Sequence, residues 1–238
     1  MADLTCRLGV LAFGDSITNG GGELQWGVAL QSWALWTARG LGLPYSPYAT
    51  DGALAEDVVT WQIPLFERVA ANPDARYELG CLYIGTNDVR RLGFDEHVFD
   101  EHFDKAVRFL IERCDTVLTA TIPLEMGRPR NPQLIEKANQ AIERVAAGHG
   151  ALVLDLRRFG GRQLMMADHV HPTALGQVAI AEQALDLLAS RGYEVGVRPS
   201  ELISYETTRW GKVRGDLTYA YRHAKQDIRL RLTVGLSR

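Results

Sequence analysis

Four clusters of polar and glycine residues each follow an apolar run in this 238-residue chain. They are Gly14-Asp15-Ser16-Ile17-Thr18-Asn19-Gly20, Asp51-Gly52-Ala53, Gly85-Thr86-Asn87-Asp88 and, past a loop, Asp168-His169-Val170-His171-Pro172. Between them they hold the side chains that acyl transfer requires. A serine hydroxyl is a poor nucleophile until a neighbouring base takes its proton, and a histidine titrating near neutrality is the usual base. An aspartate three residues before a histidine can fold back onto the ring, fix its tautomer and stabilise the imidazolium. Glycine lets a backbone N–H approach a developing oxyanion, and an asparagine amide can add another donor.

Each residue also has a plainer use. Ser16 in a strand-to-helix turn can be an N-cap, His171 can open a helix ahead of Pro172, and Asp168 can be a turn residue. The segment from Gly14 to Gly20 fits neither GxxxxGK[ST] nor GxGxxG, so a phosphate loop is disfavoured. His169 and His171 with Asp168 form an H-x-H pair. The rest of the sequence supplies no matching third and fourth ligand, so no metal and no cofactor are expected. His169 reads as a solvent-side neighbour of the site, and Asp15 as a structural residue bonding backbone groups of neighbouring loops. Asp88, Arg90 and Arg91 read as solvated loop charges near the rim.

The elements that must position these clusters alternate between short apolar runs and helical patterns. Residues 8–13, 45–50, 77–84, 116–122 and 151–156 read as strands, with Pro47 marking the second as an edge. Residues 26–41, 54–70, 95–114, 132–148 and 173–190 read as helices. In the first of these Trp26, Ala29, Leu30, Trp33 and Trp36 share one face, which reads as core packing. Five βα units predict an α/β fold, a parallel sheet with helices on both faces. Ligands bind such sheets outside the carboxyl ends of the strands, where the four clusters fall.

At those clusters the chain resembles the SGNH (GDSL-type) serine hydrolase superfamily. Gly14-Asp15-Ser16-Ile17-Thr18 matches its first block, with Ile17 where leucine is commonest. Gly85-Thr86-Asn87-Asp88 matches the third block, and Asp168-x-x-His171-Pro172 the last. Asp51-Gly52-Ala53-Leu54 stands at the second block but lacks the small hydroxyl residues common there. The resemblance covers about the first 190 residues. It implies a three-layer α/β/α flavodoxin-like fold with a five-stranded parallel sheet. It further implies Ser16 as nucleophile, Asp168 and His171 as its triad partners, and Ser16, Gly52 and Asn87 as the oxyanion hole. The expected activity is hydrolysis of carboxylic esters, small acyl or acetyl esters first, on a small-molecule substrate. Two alternatives are acyl transfer to an alcohol by the same triad and an inactive ligand-binding module on the same fold.

Composition is ordinary for a globular protein, with 46% hydrophobic and 23% charged residues. A formal net charge of -3 gives no reason to expect nucleic acid as a partner. Three scattered cysteines make no disulfide framework, and Cys81 reads as a buried apolar residue. No apolar run approaches membrane-spanning length and the N-terminus lacks a signal-peptide pattern, so a cytoplasmic location is the expectation. Residues 1–196 are expected to form the hydrolase domain and 197–238 a basic extension. In that extension Trp210, Val213, Leu217, Ala220, Tyr221, Ala224 and Ile228 recur at helical spacing. Packing on the domain, a homodimer contact and peripheral contact with an anionic membrane are its three expected uses.

Overall fold

The computed structural model describes residues 7–25, 27–70, 72, 75–126, 131–204, 210, 213, 216–225 and 228. In chain order the elements are β1 (Val10–Gly14), α1 (Ser16–Asn19), α2 (Trp33–Gly40), β2 (Tyr45–Pro47), α3 (Ala55–Asp57) and a π-helical turn (Val58–Gln62). They continue with α4 (Ile63–Val69), β3 (Tyr77–Tyr83), α5 (Glu96–Arg113), β4 (Cys114–Ala120), α6 (Pro132–His149), β5 (Leu152–Leu154) and α7 (Ala174–Ala189). A 3₁₀ turn, Pro199–Leu202, follows. All strands pair in parallel in the order β2-β1-β3-β4-β5. This is the doubly wound order whose switch point lies between β1 and β3.

Helix packing on both faces explains why β1 is buried along its whole length and reads as an unbroken apolar run. Helix α2 packs on α7, while α5 packs on α6 and on the segment from α3 through the π turn. Between the sheet and the second group, Phe66 sits edge-on to Phe13, Tyr48, Tyr77 and Phe109, with ring centroids 5.3–6.2 Å apart. That cluster anchors β1, the strand that Ser16 follows. Cys81 is fully buried in β3, as its apolar surroundings imply.

Two sequence expectations need correction. The helix expected over residues 26–41 begins at Trp33, where the Ser32 hydroxyl accepts the Leu35 N–H at 3.0 Å. Gly27 takes φ +79, and residues before it reach across to the last loop through a Glu23–Thr173 bridge. Ala29 and Leu30 therefore lie outside the helix, and Trp26 lies outside the described residues. The helix expected over 54–70 is interrupted by the π turn. Extra residues in such a turn redirect a side chain, here Gln62, into the protein.

Buried Gln62 ties together two of the loops at the carboxyl edge of the sheet. It accepts the Gly14 N–H at 3.0 Å and donates to the Gly14 carbonyl at 2.7 Å and the Thr50 hydroxyl at 3.0 Å. Gln62→Leu would leave the buried Gly14 N–H without its acceptor, at about 1–3 kcal/mol, and would remove two further hydrogen bonds, while the Gly14 carbonyl keeps the Thr50 N–H. A lower urea midpoint with unchanged slope is the expected result, and an unaltered midpoint would contradict this bracing role.

Candidate active site

The turn after β1 is fixed before any chemistry is considered. Gly14 takes φ +144, and a Cβ there would stand 2.3 Å from the Tyr83 carbonyl. Asp15 then caps α1, its carboxylate accepting the Ile17 N–H at 2.9 Å. Burial raises the Asp15 carboxyl to about 7 against that hydrogen bond, and among the described residues its second oxygen has no hydrogen-bond partner. Asp15 is structural, but it bonds the backbone of its own turn rather than that of the neighbouring loops. Its cap points the Ser16 side chain out of the turn, leaving the residue 8% exposed.

His171 arrives from the other side of the sheet's carboxyl edge. A small hairpin, bridged at Met165–Pro172, sets its backbone, and the Thr173 hydroxyl caps α7 directly after it. Asp168 curls back as the three-residue spacing suggests. One oxygen accepts the Val170 and His171 N–H groups at 2.8 and 3.1 Å. The other stands 2.7 Å from His171 Nδ1, and His171 Nε2 stands 2.8 Å from Ser16 Oγ. With Nδ1 donating to the carboxylate, Nε2 is left to accept the serine proton. The Asp168 hydrogen bond holds His171 above its ordinary value despite burial, which acts the other way. Burial pushes Asp168 up, but the hydrogen bonds from His171 and the two backbone groups outweigh it, leaving Asp168 below the usual carboxylate value.

The other two clusters lie next to each other. Asn87 donates from Nδ2 to the Ala53 carbonyl at 3.0 Å, which joins the loop after β3 to the one after β2. Gly52, at φ +77, forms the turn of the latter loop. Asp51 accepts from the Asn19 amide at 2.9 Å, so this loop is also tied to α1. Asp88 corrects its sequence reading as a solvated loop charge. It is half-buried and accepts the Ala55 N–H, and burial raises it to about 6. Arg90 and Arg91 are exposed, as rim charges are. His169 is half-buried with φ +55, its ring 5.5 Å from that of His223.

Sequence reasoning missed three buried amides that hold these loops. Gln62 is described above. Gln177 accepts the Trp33 N–H and donates to the carbonyls of Ile17 and Gly21, bracing α1. Asn139 bonds both the N–H and the carbonyl of Ile122, beyond β4. An amide on the apolar stripe of a helix was the available signal. A cavity of about 110 Å³, lined by Glu125, Met126, Phe159, Arg162, Met165, His169 and Tyr219 among others, adjoins the loop that carries His171, but none of Ser16, Gly52, Asn87, Asp168 and His171 lines it. Met126 reaches the Thr86 hydroxyl, one residue before Asn87.

Comparisons with known proteins agree with this architecture. A search of curated proteins finds no match. Similar solved structures include an acetylxylan esterase from Geobacillus stearothermophilus, 15% identical over 84% of this chain and 100% of that one, with a TM-score of 0.59. A member of the lipolytic G-D-S-L family from Veillonella parvula is 23% identical over 76% and 97%, at 0.58. An alpha/beta hydrolase from the Lake Arreo metagenome is 18% identical over 78% and 98%, at 0.58. Residues 12–179, from within β1 into α7, match the model of the GDSL-like lipase/acylhydrolase family, and the chain belongs to that family.

Proposed function

We propose that the protein is a serine esterase acting on small acyl esters. The observation that carries this reading is the unbroken relay from Asp168 through His171 to Ser16 at 2.7 and 2.8 Å. His171 takes the hydroxyl proton as Ser16 Oγ attacks the ester carbonyl, and Asp168 stabilises the imidazolium that forms. The tetrahedral oxyanion takes hydrogen bonds from the Ser16 and Gly52 N–H groups and the Asn87 amide. Collapse expels the alcohol, which receives the proton from His171. Water, deprotonated by His171, then attacks the acyl-enzyme and releases the acid, returning the proton to Ser16.

Membership of the GDSL-like lipase/acylhydrolase family supports an ester as the substrate. The acetylxylan esterase with the same fold points the same way. Burst kinetics with p-nitrophenyl acetate and covalent labelling by a fluorophosphonate are the expected results. Peptide mass mapping should place the label on Ser16. Label found elsewhere, or none in a folded protein, would overturn the assignment. Product analysis with competing acceptor alcohols reads out whether water is the acceptor.

A further inference from the structure

The chain beyond the 3₁₀ turn is attached to the loops that carry the candidate site. Helix is present at 210, 213, 216–225 and 228. Asp216 pairs with Arg162, and Arg222 with Glu23. The Arg162 guanidinium also lies 5.3 Å from the centre of the Tyr219 ring, and His223 meets His169. Asp216, Tyr219, Arg222 and His223 recur every three or four residues, so they form one face of the helix. Packing on the domain, one of the uses expected from sequence, therefore occurs through polar and aromatic groups.

The apolar stripe faces elsewhere. Trp210, Leu217 and Tyr221 are 74%, 66% and 67% exposed, and Val213, Ala224 and Ile228 are exposed with them. Leu24, beside the Glu23 that anchors Arg222, is also exposed. Large apolar side chains gathered in one patch mark an interaction surface. Charge identifies its occupant. From residue 198 onward the sequence has nine Lys and Arg against four Asp and Glu, while the rest of the chain is acidic. A second copy of the same basic segment would repel it, and an anionic surface would attract it. Lys225, exposed next to Ala224 of the stripe, together with the Lys and Arg of the surrounding sequence, gives the Trp- and Tyr-bearing face the basic character that an interfacial helix requires. Among the described residues no helix is long and apolar enough to cross a membrane, so contact would lie along the surface.

We propose that the stripe from Trp210 to Ile228 docks the protein on an anionic lipid bilayer. Docking holds the loops of Glu23 and His169 next to the membrane, while the polar face of the helix stays on the domain. Lipid binding is read without any ester turnover, so its outcome is separate from that of the esterase assignment.

The test is flotation of the full chain with vesicles. Binding is expected to phosphatidylcholine vesicles containing phosphatidylserine, and at least about ten-fold less to phosphatidylcholine alone, given that each basic residue at an anionic surface adds about five-fold. Leu217→Glu combined with Tyr221→Glu should abolish flotation. Lys225→Glu, which leaves the stripe intact, should weaken it about five-fold or more. Both variants should keep the wild-type rate on soluble p-nitrophenyl acetate. Failure of the wild type to float, or equal flotation of the double variant, would overturn the proposal. So would a dimer in sedimentation equilibrium that the double variant splits, with no lipid binding.

Discussion

Ser16→Ala is expected to lower kcat for p-nitrophenyl acetate by a factor on the order of 10⁶ while leaving the fold intact. The chemical loss is large because the hydroxyl held 2.8 Å from His171 Nε2 is removed, and no other is seen there among the described residues. Activity would fall to what the oxyanion donors and the remaining binding contacts provide with water as the nucleophile. The structural loss is small for independent reasons. Asp15 rather than Ser16 caps α1, and the turn is closed by Gly21 N–H to the Ser16 carbonyl, a backbone bond that alanine keeps. One side-chain hydrogen bond disappears at a partly open site, worth about 1 kcal/mol. A thermal midpoint within a few degrees of wild type should therefore accompany the collapse in rate. Turnover within ten-fold of wild type would remove Ser16 from the nucleophile's role. A large drop in midpoint would instead make the turn, not the hydroxyl, responsible.

Much of this site was legible in the sequence because its residues follow directly from strand ends. Ser16, Gly52 and Asn87 each come within a few residues of β1, β2 or β3. Any parallel sheet with right-handed crossovers brings those ends to one edge. Asp168 and His171 were legible for a different reason, as a three-residue spacing inside a single loop. What escaped was the support beneath them. Gln62 enters the site region through a π turn, and helical periodicity shows a continuous helix where that turn interrupts. Gln177 lies on the buried face of α7, but its partners Ile17 and Gly21 are about 160 residues away in the chain. The start of α2 was misplaced because aromatic residues at 26, 33 and 36 continue the helical period through Gly27. A backbone with positive φ there, and the Ser32 cap, decided the boundary instead.

Asp168→Asn should cost about 10⁴ in kcat, and its pH dependence should separate an electrostatic role from a merely structural one. In the native protein His171 Nδ1–H donates to Asp168 Oδ2, so Nε2 is free to accept from Ser16. An asparagine that still accepts the Val170 and His171 N–H groups through its oxygen must turn its NH₂ toward Nδ1. That selects the opposite tautomer, with hydrogen on Nε2, which cannot take the serine proton. Because the Asp168 hydrogen bond raises His171, the wild-type rate should climb with pH through a midpoint above 6.5, as His171 loses its proton. Without the carboxylate, burial is the main influence left and it lowers His171, so the residual activity of the variant should have a midpoint shifted down. Stability runs the other way. The raised histidine stabilises the fold fully below 6.5, and this contribution is lost as pH rises through its folded value. The lowered Asp168 contributes above 3.8 and is lost as pH falls through its own folded value. The stability gap between wild type and Asp168→Asn should thus be widest between about 3.8 and 6.5 and narrow toward alkaline pH, where the wild type is most active. Urea midpoints taken across that range, beside the rate profile, check both halves. A variant whose rate limb stays at the wild-type midpoint would show that Asp168 does not set the proton affinity of His171.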